Sequence, residues 1–186
     1  MNLGFFERLY VNGFFRKYIH QPYIAKWLFK QISLPAGGQV LEIGCGAGHG
    51  ISFIRSQLQP HHIIGSDFDP TQIVRAKTLW QDDKTVSLKQ ADASALPFED
   101  NSFHAVVSFG AIHHVPDWER ALLEIQRVLK PGGYIFTEEY YRGFLHFPLV
   151  KWLAPHPPQR FSHSEFVLAL AAAGLKPVAH QHSVIG

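Results

Sequence analysis

A chain of 186 residues that is 46% hydrophobic is long enough to bury one substantial core. Its 17 basic and 15 acidic side chains nearly cancel to a formal +2, which excludes a general polyanion-binding balance and gives no reason to expect nucleic acid as a partner. The single cysteine, Cys45, excludes an intramolecular disulfide and argues against a cysteine-ligated structural metal site. No uncharged run approaches the roughly 18 apolar residues that span a bilayer, and Glu7 and Arg8 interrupt any signal-peptide core, so a soluble cytoplasmic protein is expected.

Residues 1–35 read as an N-terminal helical extension and residues 36–186 as one α/β domain without repeat, low-complexity tract or linker. Apolar runs at Gln39–Ile43, His62–Asp67, Val86–Gln90, Phe103–Phe109 and residues 133–140 predict strands, apolar on both faces as central parallel strands are. Helical signals lie between and after them. Asp69, Pro70, Thr71 and Gln72 offer an N-cap, a proline at the first helical position and a glutamine at the capping-box position, which predicts a helix to about Gln81. Residues 118–129 put Leu122, Ile125 and Leu129 on one stripe, between the N-cap Asp117 and a stop at Pro131, Gly132 and Gly133. Ser162 and Glu165 form a capping box before FVLALAAAGL, which Gly174 ends. Strand and helix alternate, which implies a doubly wound, mostly parallel α/β sheet with helices on both faces and ligands at the carboxyl ends of the strands.

The first strand-to-helix turn falls within VLEIGCGAGHGISFI, residues 40–54. Glycines there permit positive φ and let a ligand approach the backbone. The dinucleotide spacing G-x-G-x-x-G fails, because the third glycine would fall at His49 counting from Gly44 or at Ile51 counting from Gly46. What stands instead is E-x-G-x-G-x-G. Glu42 at the strand end would oppose a pyrophosphate but suits a ligand with an ammonium group, such as S-adenosylmethionine, which also carries a sulfonium and no phosphate. Asp67 ends the second strand 19 residues after Gly48, where a carboxylate can accept from both ribose hydroxyls. Alone it would equally be a turn or capping residue. Phe68 beside it is placed to pack on the adenine, and Cys45 reads as a small apolar filler.

The segments VLEIGCGAG, GSDFDP, ADASALPFEDNSFHAVVS, IHHVPD and EIQRVLKPGG, in this order and spacing, resemble the class I S-adenosylmethionine-dependent methyltransferases, in particular the small-molecule branch similar to ubiquinone/menaquinone C-methyltransferases. The resemblance runs from about Val40 to Gly174 and implies a Rossmann-like methyltransferase fold. It implies that Gly44, Gly46 and Gly48 line the methionine moiety, with Glu42 near its ammonium through water, and that Asp67 holds the ribose. Asp92 and Ala93 would meet the adenine, the Asp92 carboxylate accepting from its exocyclic amine; without the motif Asp92 would be a helix or turn cap. Ser108 and Phe109 would border the cofactor and the transferred methyl. No metal is implied.

Two features depart from the family pattern. His104 stands where an aspartate is usual, a change of modest expected effect because the position lies away from the strand's carboxyl end. The family's sheet closes with a sixth strand and an antiparallel seventh, whereas KPVAHQHSVIG supplies one strand; either the chain is part of a longer one or its sheet lacks the C-terminal edge strand. The asparagine- or aspartate-proline-proline-aromatic tetrapeptide of amide- and nucleobase-modifying members is replaced by SFGA, which argues against such acceptors.

Methyl transfer from a sulfonium needs alignment, exclusion of water and a base if the acceptor carries a proton. The candidate bases are His113 and His114, expected to face the cleft; adjacent residues are expected to point apart, so that one meets the substrate and the other caps or packs. The first thirty residues are rich in aromatics and carry five basic residues against Glu7, which reads as a helical lid or as a face for peripheral membrane contact. An aromatic, proline-rich insertion covers residues 141–161. Phe5, Phe6, Tyr10, Trp27, Tyr140 and Tyr141 are candidate walls of an apolar acceptor pocket above the fourth and fifth strands. The expected activity is methylation of a small hydrophobic molecule; a non-catalytic cofactor-binding subunit and a nucleotide-dependent oxidoreductase are the rival classes.

Overall fold

The computed structural model describes residues 37–142 and 161–176, together with residues 26, 27, 29, 30, 34 and 35. Most of the proposed lid, most of the aromatic insertion and the segment after Lys176 lie outside the described residues, and with them Phe5, Phe6 and Tyr10. In chain order the elements are β1 (Gln39–Ile43), α1 (Gly50–Leu58), β2 (His62–Asp67), α2 (Pro70–Leu79), β3 (Val86–Gln90), β4 (Phe103–Phe109), a 3-10 turn (Ile112–His114), α3 (Trp118–Val128), β5 (Leu129–Glu138) and α4 (His163–Ala172). Among the described residues no helix is long and apolar enough to cross a membrane.

The five strands pair in the order β3-β2-β1-β4-β5, every pair parallel. From β1 the chain winds outward through β2 to β3 and then returns to β4 on the other side of β1. Strand order therefore reverses between β1 and β4, which opens a crevice at their carboxyl ends. Alternate residues of β1 feed two cores. Val40 joins Ile51, Ile54 and Ile63 on the α1 face, whereas Leu41 and Ile43 join Leu122, Ile125 and Phe166 on the α3 and α4 face. Phe29, from within residues 1–35, belongs to the α1 face, with its ring edge-on to Phe109 and Phe136.

The first four strands fall where the apolar runs predicted them, the fifth spans Leu129–Glu138 rather than residues 133–140, and three local details differ. Helix α2 ends at Leu79 rather than near Gln81, because Trp80 leaves the helix and donates its indole N–H to the Gly48 carbonyl at 2.8 Å. Asp69 caps that helix through Thr71, but Gln72 forms no capping box; the Asp69 amide it would have served is donated to Asp67 Oδ1 at 2.9 Å, and Gln72 is buried. Helix α3 stops at Val128, so Leu129 begins β5, whose pairing jumps from Phe103↔Leu129 to Ala105↔Tyr134. The Pro131-Gly132-Gly133 stop thus lies within β5 as an irregularity, with Gly132 at φ 77°.

Both ends of α4 are built as its sequence reads. Ser162 and Glu165 exchange the two capping-box bonds, and Gly174 at φ 77° closes the helix while Leu175 N–H reaches back to the Leu170 carbonyl at 2.9 Å. His104 sits at the amino end of β4, where its Nδ1 accepts the Gln39 amide at 3.0 Å. An aspartate could accept the same bond, which explains why the replacement leaves the sheet intact. Burial first, and the nearby Lys130 ammonium second, hold the ring's pKa below its ordinary value.

Candidate active site

The glycine turn after β1 is shaped by what surrounds it. Gly44, Gly46 and Gly48 all have positive φ, at 68°, 53° and 85°. A Cβ at Gly44 would collide with Ala111, and one at Gly48 would lie 2.9 Å from the Trp80 ring. At Gly46, by contrast, a Cβ would meet nothing within 4 Å, so this glycine faces open space. Asp67 fastens the turn from β2: Oδ2 accepts the Gly46 amide at 2.8 Å while Oδ1 accepts that of Asp69. Its pKa is raised by burial, with the two amide bonds pulling it back down.

Glu42 lies under this turn rather than at its surface. Its side chain is 1% exposed and is packed against the start of α1, where a Cβ on Gly50 would overlap the carboxyl. Between the two acids the Cys45 thiol is pushed well up, by burial first and then by Glu42 and Asp67. Both acids thus lie close to the glycine turn, Asp67 bonded to the Gly46 amide and Glu42 packed beneath the turn. Phe68 stands beside it, 53% exposed.

Asp92 follows β3 on the surface, its Oδ1 accepting both the amide and the hydroxyl of Ser94 at 2.8 and 2.7 Å. One oxygen thus serves as a turn cap. Ala93 turns its methyl into the α3-side core. The loop that follows is clamped from α3 by a pair that sequence reasoning did not single out. Glu124 Oε2 accepts the Leu96 amide at 2.9 Å, and Arg127 donates to the carbonyls of Leu96 and Phe98 and to Asp100. Hydrogen bonding from Arg127 holds Glu124 below the usual carboxylate range.

At the ends of β4 and β5 a second unrecognised residue organises the site. Glu139 Oε1 accepts from Ser108 Oγ at 3.0 Å, Thr137 Oγ1 at 3.1 Å and the Ile112 amide at 3.2 Å. Its Oε2 accepts the His113 amide at 3.1 Å and lies 2.7 Å from His113 Nδ1. Burial pushes the Glu139 carboxyl up to about 7 against the pull of these bonds. The nearest sequence signal was the EEYY run, in which Glu138 and Glu139 look alike.

The geometry changes how several predicted residues are to be pictured. The His113 side chain is 2% exposed and faces Glu139, while His114 is half-buried. The two rings lie against each other, centroids 4.1 Å apart, so the expectation that they point apart does not hold. The 3-10 turn brings their Cα atoms round by less than a half circle, and this lets the rings lie against each other at a tilt of 41°. Ser108 is buried and bonded to Glu139, and the Phe109 ring packs into the α1-side core, leaving their backbone as what they offer the crevice. Tyr140 stands edge-on to His113, with ring centroids 5.5 Å apart. Tyr141 instead packs on Phe161, Phe166 and His163.

Comparison with known proteins gives this arrangement its relatives. A methyltransferase domain model matches residues 41–137, from β1 to the end of β5. A 2-methyl-6-phytyl-1,4-hydroquinone methyltransferase from Synechocystis is 36% identical over 72% of this chain and 43% of its own length. A demethylmenaquinone methyltransferase from Staphylococcus saprophyticus is 36% identical over 61% of this chain and 49% of its own. The chain thus spans about half the length of these curated relatives or less. Among solved structures, a chain from the Haloferax volcanii complex containing the Trm112 methyltransferase activator superposes with a TM-score of 0.76 at 26% identity, over 91% of this chain and 76% of that one. More than half of the sequence falls within the family match, and the sheet order and glycine turn lie inside it: the chain belongs to the methyltransferase domain family.

Proposed function

We propose that this chain binds S-adenosylmethionine and transfers its methyl group to a small apolar acceptor of the prenylated hydroquinone class. The observation that carries the cofactor assignment is a glycine turn open at Gly46, tied to the Asp67 carboxyl and lying over that of Glu42. Two carboxyl groups at that point disfavour a pyrophosphate and favour a ligand bearing a sulfonium and an ammonium. The same charge pattern weighs against a dinucleotide-dependent oxidoreductase.

In this reading Gly44, Gly46 and Gly48 hold the methionine moiety, Asp67 the ribose hydroxyls, and Phe68, Asp92 and Ala93 the adenine. S-adenosylmethionine, when bound, supplies an activated methyl group open to in-line displacement. The chain's own residues then orient the acceptor, exclude water and receive a proton. In this reading His113 and His114, in the 3-10 turn after β4, take that last role. In the same reading the basic, aromatic sequence of residues 1–35 has the role of a lid and of a peripheral membrane contact that collects a lipophilic acceptor, Phe29 belonging instead to the core, and the domain works in the cytoplasm.

Titration calorimetry tests the cofactor: S-adenosylmethionine and S-adenosylhomocysteine bind, and NAD does not. Incubation with 2-methyl-6-phytyl-1,4-hydroquinone, followed by mass spectrometry, tests the transfer. Formation of methylated product with S-adenosylhomocysteine excludes a non-catalytic binding subunit. Cofactor binding without turnover across a panel of hydroquinones favours that subunit instead. Deleting residues 1–20 is expected to leave cofactor affinity within a few-fold and abolish transfer.

A further inference from the structure

The least expected feature of the site is a carboxyl group held at 1% exposure against His113, whose ring in turn lies against that of His114. Burying a carboxylate is costly, and capping the 3-10 turn does not require it, because a local serine or aspartate satisfies turn amides from the surface. What Glu139 adds is the bond to the His113 ring. Three donors converge on Oε1, from Ser108, Thr137 and Ile112, so that oxygen is saturated as an acceptor. The proton shared with His113 therefore lies in the 2.7 Å contact between Nδ1 and Oε2. A carboxylate on Nδ1 fixes the ring's tautomer and leaves Nε2 as its basic nitrogen. The His114 ring lies against the anchored ring at a tilt of 41° and Tyr140 meets it edge-on, so the ring that Glu139 holds is in contact with two further rings.

We propose that Glu139 is the positioning residue of the site, holding the His113 ring, with His114 against it, to receive the acceptor's hydroxyl proton. This deepens the function proposed above and rests on it. In the step concerned the acceptor's O–H bond breaks, its electron pair stays on the acceptor, and the proton forms an N–H bond on a histidine ring. The resulting imidazolium charge faces Glu139.

The test pairs a spectroscopic readout with kinetics, using E139Q and H113N. E139Q presents an amide N–H where His113 Nδ1–H needs an acceptor, and so reverses the tautomer at nearly constant shape. H113N keeps an N–H for Glu139 but removes Nε2. In protein labelled with 15N-histidine, the wild type should show a strongly downfield Nδ1–H proton that disappears in both variants. Both should bind S-adenosylhomocysteine within a few-fold of wild type, while kcat for 2-methyl-6-phytyl-1,4-hydroquinone falls on the order of 100-fold with little change in KM. Absence of the downfield proton in the wild type, or wild-type kcat in E139Q, overturns the assignment. Should E139Q fail to fold, wild-type kcat in H113N does the same. If the wild type shows the proton but does not methylate the hydroquinone, the proposed acceptor class falls while the anchoring stands.

Discussion

The two halves of the crevice are built by different means. At the end of β1 the chain shapes a surface from backbone: three glycines at positive φ, packed against Ala111 and Trp80 and tied to Asp67. At the ends of β4 and β5 it shapes a surface from side chains, gathered around Glu139. The first half tolerates few residue types but few partners are needed. The second admits many residue types in principle but depends on every partner being present. A glycine turn is a local conformational requirement, whereas a buried carboxyl hub is a bargain among strands that meet only in three dimensions.

The sharpest way to break this comparison is Gly44→Ala. The left-handed φ costs about 1–2 kcal/mol, and the collision with Ala111 adds about 1–3 kcal/mol of overpacking. Urea unfolding should therefore show a loss of about 2–5 kcal/mol, and adding Ala111→Gly should recover only the collision part. Gly46→Ala has the same conformational cost without the collision, so its stability loss stays at about 1–2 kcal/mol while S-adenosylhomocysteine affinity falls.

At the other half, pH is the lever. An unfolded glutamate ionises near pH 4.3, but Glu139 does so at about 7 in the fold, so the folded state binds more protons between these values. Wild-type stability should fall as pH rises through that window and level off above it. E139Q lacks this dependence. Urea unfolding at pH 5 and pH 8 should show the variant gaining on wild type by on the order of 1–3 kcal/mol. A pH-independent difference would mean that Glu139 ionises as an ordinary carboxylate.

Two smaller effects sharpen the contrast between backbone and side-chain construction. Asp67→Ala should weaken S-adenosylhomocysteine binding by about 1–3 kcal/mol in calorimetry, because it removes a charged acceptor and frees the Gly46 amide. Thr137→Val removes one donor from Glu139 Oε1 and should cost about 1 kcal/mol of stability without moving cofactor affinity. Equal effects of Thr137→Val on both would join the two halves into one unit.

Much of the fold and half of the site could be read before any coordinates. The glycine spacing, the strand ends at Glu42 and Asp67 and the caps at Asp69, Asp117 and Ser162 are encoded within a few residues of where they act. Local chemistry of that kind survives in a string of letters. The clamp of Glu124 and Arg127 on the loop after Asp92 was not read, because it joins residues 28 and 31 positions from Leu96 through helix packing. Nor was the inward turn of Glu42, which depends on Gly50 leaving room beneath α1.

The sequence by itself determined the parallel α/β architecture, the glycine turn after β1 and the family, because hydrophobic period, glycine φ and capping are short-range properties of the chain. Only the tertiary structure decided which of two adjacent glutamates would be the hub, and that the Ser108 hydroxyl and the His113 ring would meet on it. Those outcomes follow from β4 and β5 lying side by side, 26 residues of sequence separating His113 from Glu139 while the fold closes the gap to a hydrogen bond. Register between strands sets which side chains meet, and register is a property of the assembled sheet rather than of either strand.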